Sequence, residues 1–171
     1  GPFSQIKGSR IGSGTRVLSS VILEADIGTH NNIGPYSYIR PNTVTGSEVK
    51  IGAFCEIKRS SVGRKSKVPH LSYVGDTEIG SGVNIGASSV TVNYNGFSKF
   101  KTIIEDEAFI GSDTMLIAPV RIGRGAIVAA GSVITRDVPQ DAMAIERAKQ
   151  RNIRKGAAKY RKRKWEQKLF P

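Results

Sequence analysis

Along most of this chain an isoleucine or valine followed by glycine returns every six positions, as in IGSGTR, IGTHNN, IGPYSY, IGAFCE, VGRKSK, IGSGVN, IGASSV, IGSDTM and IGRGAI. Ile27, Ile33, Ile39, Thr45, Ile51 and Ile57 stand in strict register. After a five-residue step come Val62, Val68 and Val74, and after another Ile79, Ile85 and Thr91. The register breaks at NYNGFSKFKT and resumes through Ile104, Ile110, Leu116, Ile122, Val128 and Ile134. A period of six fits neither a helix nor simple strand alternation, so each unit reads as a short strand plus a corner. The first position faces inward. The fifth is small (Thr15, Ser37, Thr43, Cys55, Ser66, Ser72, Ser89, Thr114, Ala126, Ser132), as a sharp corner crowding the interior requires. Three units make one coil, and coils stacking at about 4.8 Å form a triangular parallel β-helix. The fold class is therefore all-β, with residues 93–102 as an extruded loop.

Such a register turns sequence into columns, because residues about eighteen apart lie above one another. Arg40 follows Ile39 and Lys58 follows Ile57, so two cations share one column, where like charges repel. An anion between them removes that cost, and guanidinium and ammonium groups are good phosphate ligands. The pair is a candidate phosphate clamp; two long side chains splayed into solvent are the alternative. His70, the third residue of VPHLSY, points outward, which leaves a general base or an ordinary surface histidine. Ala87 lies one coil further in its column and leaves room for a ligand. Tyr73 belongs to the same unit as His70, and Glu56, one coil back from Tyr73, is a candidate to orient the imidazole. Only two histidines, His30 and His70, are present, too few for a histidine metal cluster, so no metal site is expected. Cys55 holds a small fifth position and reads as packing.

Composition adds limits. With 171 residues, 39% apolar and 23% charged, the chain is long enough for one globular domain. A single cysteine excludes an internal disulfide framework and suits a reducing compartment, so cytoplasm is the expected location. No stretch has the length of a membrane span, and no secretory signal opens the chain. Gly1-Pro2 without methionine reads as a tag-removal scar, which divides the chain into scar and linker (1–10), β-helix (11–138) and basic tail (139–171). The formal charge of +12 is concentrated after Glu146, where GAAKYRKRKWEQKLF also has reasonable helical propensity. Because the tail carries no recognised nucleic-acid module, a non-catalytic scaffold binding nucleic acid is only the rival reading, and no membrane partner is expected.

The segments IGPYSYIRP, EIKRSSVGRKSKVPHLSYVGDTEIGSGVNIGA, TVNYNGFSKFKTIIEDEAFIGSDTMLIAPV and IVAAGSVITRDVPQDAMAIER carry a closer resemblance. From about Ile27 to Arg147 the chain resembles, within the hexapeptide-repeat acyltransferases, the acetyltransferase domains of bacterial bifunctional N-acetylglucosamine-1-phosphate uridyltransferase/glucosamine-1-phosphate acetyltransferases. The resemblance implies a left-handed β-helix and acetyl transfer from acetyl-CoA to the 2-amino group of glucosamine 1-phosphate, on the way to UDP-N-acetylglucosamine and cell-wall precursors. It also implies a homotrimer with sites shared between subunits. His70 falls at the general base and Glu56 at its acidic neighbour. Arg40, Lys58, Tyr73, Asn84 and Lys99 fall where the family contacts the sugar phosphate. Ala87, Asn93, Tyr94, Ser112, Ala130 and Arg147 fall where it contacts acetyl-CoA. Asn95 and Ser88 depart from the family's usual Asp and Gly, and nothing before Ile11 resembles the uridyltransferase half. Another hexapeptide acyltransferase acting on a different amine is the rival within the fold.

Overall fold

In the computed structural model, which describes residues 2–169 and side chains of the terminal helix only to Lys162, each hexapeptide contributes one short strand. Gly1, Phe170 and Pro171, parts of the expected scar and tail, lie outside the described residues. The strands assemble into three parallel sheets of eight, seven and eight, and up to Val133–Ile134 every third strand along the chain enters the same sheet. The stack begins at Gln5–Lys7, paired with Val21–Leu23, and ends at Met143–Ala144, paired with Ile127–Val128. Residues on both sides of 11–138 thus also belong to it.

The first-position residues form the core, stacked on one another from coil to coil. In the third sheet Ile33 pairs with Ile51 and Ile51 with Val68; in the first, Ile39 pairs with Ile57 and Ile57 with Val74. Every first-position residue from Ile27 to Ile134 is buried, none more than 5% exposed. From Ser37 onward the small fifth positions are buried too, and several of their hydroxyls reach backbone carbonyls at the corners. Ser66 Oγ donates to Gly80 O at 2.6 Å and Thr114 Oγ1 to Gly111 O at 2.7 Å. An interior too narrow for large side chains thus satisfies the polar atoms it encloses at these corners.

The glycine after each inward residue has a steric cause. A Cβ on Gly28 would collide with Gly46 O, and one on Gly63 with the Gly80 backbone, since the next coil passes directly overhead. The corners themselves adopt positive φ, and many are not glycine: His30, Asn42, Glu48, Lys65, Asp76 and Asp113 among them. The extruded loop leaves the stack after Val90–Val92 and returns at Thr102–Ile104. A basic helix, Gly156–Leu169, follows the stack. Among the described residues no helix is long and apolar enough to cross a membrane.

Candidate active site

His70 ends the strand Lys67–His70 at the corner between the third and first sheets, where it stacks on Ala53 and is exposed. From there a column of small residues climbs the corner. Ser88 N donates to His70 O at 3.3 Å, Asp113 N to Ala87 O at 2.7 Å, and Gly131 N to Ser112 O at 2.8 Å. Arg147 closes the column, its Nη1 donating to Ala130 O at 2.8 Å. The structure therefore brings His70, Ala87, Ser112, Ala130 and Arg147 into one line along a single edge.

Around that corner, the outer face of the first sheet carries the second group. Glu56 pairs with Tyr38 below and Tyr73 above, while Arg40 N donates to Ile57 O at 2.9 Å, which sets Arg40 beneath Lys58. Arg40 Nη1 donates to Glu56 Oε1 at 2.8 Å, and its guanidinium lies 5.7 Å from the centre of the Tyr38 ring. The Glu56 hydrogen bond holds the Arg40 pKa above its ordinary value. The extruded loop doubles back through an antiparallel bridge between Tyr94 and Lys99, which returns Lys99 to the side of Lys58. The Lys99 ammonium, then desolvation, then Arg59 and Arg40 push the Lys58 pKa below its ordinary value. Three cations at one point of a sheet face form a site for an anion of more than one charge.

Parts of the expected arrangement are corrected. Glu56 does not orient the imidazole: its carboxylate is engaged by Arg40, and among the described residues the His70 ring has no hydrogen-bond partner. Asn93 lies at the base of the extruded loop. It is buried, with its amide bonded to Asp76, because the loop base folds down onto the first sheet. Lys99 likewise stays against its own chain, beside Lys58. Asn84 begins a strand of the third sheet, stacked between Lys67 and Phe109, and the structure does not bring it to Arg40, Lys58 and Lys99. Tyr94 is exposed on the loop, its hydroxyl donating to Gly96 O.

Sequence reasoning also missed residues that shape the site. Gly75 is one: a Cβ there would lie 2.5 Å from the Tyr73 hydroxyl and 2.8 Å from Asn93 Nδ2, so its absence lets the tyrosine lie along the sheet. A glycine interrupting the outward column above Arg40 and Lys58 was the available signal. Asp76 and Arg59 are the others, joined by two hydrogen bonds of 2.7 and 2.9 Å at the five-residue corners. A cleft at the C-terminal end, between residues 133–138 and 142–146, contains none of the expected site residues. Among the described residues no group of three or more His, Cys, Asp or Glu is placed to hold a metal ion.

Residues 101–136 match the family model for bacterial transferase hexapeptide (six repeats). The chain is 53% identical over 152 residues to bifunctional protein GlmU of Carboxydothermus hydrogenoformans, covering 89% of this chain and 34% of that protein. It is 51% identical to bifunctional protein GlmU of Desulfitobacterium hafniense, covering 90% and 34%. The chain thus spans about one third of the length of these curated relatives. Among solved structures it resembles a mutant perosamine N-acetyltransferase from Caulobacter crescentus in complex with CoA and GDP-perosamine, with a TM-score of 0.59 and 26% identity over 72% of this chain and 57% of that one. The UDP-N-acetylglucosamine acyltransferase of Campylobacter jejuni shares the fold, with a TM-score of 0.54 at 15% identity, covering 94% and 77%. Residues 101–136 thus carry the bacterial transferase hexapeptide repeat, and nine-tenths of the chain is similar to one third of bifunctional protein GlmU.

Proposed function

We propose that this chain is a glucosamine-1-phosphate N-acetyltransferase, moving the acetyl group of acetyl-CoA to the 2-amino group of glucosamine 1-phosphate. The observation that carries the reading is an exposed histidine at the corner where the chain enters the first sheet, with a column of small residues climbing from it and a cation cluster at the far end of that sheet's strands. Similarity to GlmU over nine-tenths of the chain supports it.

In this reading the sugar phosphate lies against Arg40, Lys58 and Lys99, which sets the 2-amino group toward His70. The column from His70 to Ala130 spans three rungs, roughly 14 Å at the usual strand spacing, enough for an extended pantetheine arm. Arg147, at its end, meets a phosphate of CoA. His70 takes a proton as the amine nitrogen bonds to the thioester carbonyl carbon; the C–S bond then breaks and the proton passes to the CoA thiolate. The Ala87 N–H, which forms no hydrogen bond among the described residues, is the donor for the oxyanion.

In one chain Asn84 stacks on Lys67, three residues before His70 and on a different sheet from the cations, so it joins the cations when a second copy supplies it. This favours the trimer, with each site completed by a neighbour.

The test of substrate is thiol release from acetyl-CoA with glucosamine 1-phosphate, glucosamine 6-phosphate and free glucosamine. The first should give the highest kcat/KM, since only its phosphate reaches the cations with the amine at His70. Equal values for all three would contradict the reading.

A further inference from the structure

Asp76 makes more connections around the cation cluster than any role in the proposed chemistry requires. It occupies the five-residue corner after Tyr73–Gly75, the rung stacked on that of Lys58, with φ of 51°. Its N–H donates to Lys58 O at 3.0 Å, and its carbonyl accepts from Thr102 N at 3.2 Å. Its carboxylate accepts two hydrogen bonds from Arg59 and a third from the Asn93 amide. Asn93 is where the extruded loop leaves the stack, and Thr102 is where it returns. One residue therefore holds both ends of the loop that carries Lys99, and holds them to the rung that carries Lys58.

We propose that Asp76 is a positioning residue that sets the distance between Lys58 and Lys99 and so the affinity for the substrate phosphate; this rests on the reading of the cluster as the glucosamine 1-phosphate site. Arg40 is neutralised by Glu56 and Arg59 by Asp76. Lys58 and Lys99 form no ion pair among the described residues and repel each other. Left to itself, the loop would move Lys99 away. The Asp76 side chain is 16% exposed, so its hydrogen bonds to Arg59 and Asn93 are sheltered from competing water.

Removing the carboxylate has two opposed effects. It adds positive potential near the phosphate, which favours an anion, and it frees the loop, which disfavours one. The added potential acts across a wet surface and is screened by salt. The lost hydrogen bonds are directional and charge-assisted, so the second effect dominates.

The experiment compares the wild-type chain with Asp76→Asn and Asp76→Glu. In Asp76→Asn the KM for glucosamine 1-phosphate should rise about tenfold, the loss expected for a charged hydrogen bond. The KM for acetyl-CoA and kcat should stay within about threefold, the split that separates phosphate positioning from general damage. Amide exchange over residues 93–101 should quicken. Asp76→Glu keeps the charge and, as Glu24, Glu48 and Glu107 show, the corner conformation, but misplaces the carboxylate; it should also raise the KM for glucosamine 1-phosphate. An unchanged or lowered KM for that substrate in either folded variant, or a parallel rise for acetyl-CoA, would overturn the proposal. If the wild-type chain itself releases no thiol with glucosamine 1-phosphate, the functional reading fails separately. Calorimetry with inorganic phosphate then decides the positioning role: weaker binding by the variants supports it and equal binding overturns it.

Discussion

Asn31 and Thr102 are both buried polar residues inside the stack, and their hydrogen bonding separates them. The Asn31 amide donates to Thr45 Oγ1 at 2.7 Å and Gly46 O at 2.9 Å, and its carbonyl accepts from Val49 N at 2.7 Å. The Thr102 hydroxyl has no partner among the described residues. Asn31→Ala should therefore cost about 1–3 kcal/mol by stranding buried groups, whereas Thr102→Val should be neutral or stabilise by up to about 1 kcal/mol. Chemical denaturation of both variants checks this, and equal losses would contradict it. In the sequence, Asn31 is simply a fifth position without the usual hydroxyl, and nothing distinguishes it from a ligand-binding amide. Only the coil above supplies its partners.

At the scale of the element, the hexapeptide strand is legible because its inward side chains repeat so regularly. Ile51, Val68 and Ile85 can be assigned to the core by counting alone. The columns are legible for the same reason: Arg40 with Lys58, and His70 with Ala87, follow from the register once the five-residue steps are located. The corners are not. Tyr36, Phe54 and Leu71 occupy positive φ, a region that local preference assigns to glycine or asparagine, because the stacked coils impose the turn. The loop is legible as an interruption but not in its course, since its descent onto the first sheet depends on Asp76, seventeen residues before Asn93 in the chain. Glu56 shows the limit of column reasoning. Register places it beside Tyr73, but the choice between His70 and Arg40 as its partner depends on side-chain direction.

At the scale of the whole molecule, one chain carries Asn84 at the start of a third-sheet strand, His70 at the end of the neighbouring one, and the cations on the first sheet. If a neighbour completes each site, His70→Ala and Asn84→Ala should complement one another. Mixing the two variants by joint refolding should restore activity at about a quarter of the sites, those pairing His70 of one copy with Asn84 of another in a closed ring. No recovery in mixed oligomers would contradict a shared site.

The central claim is that the exposed imidazole of His70 takes the proton of the attacking amine. Its most direct measurement is kcat for thiol release with saturating acetyl-CoA and glucosamine 1-phosphate, wild type against His70→Ala, with circular dichroism confirming the fold of each. A fall of roughly 10²–10⁴-fold in kcat is expected. A folded His70→Ala variant with wild-type turnover would contradict the claim.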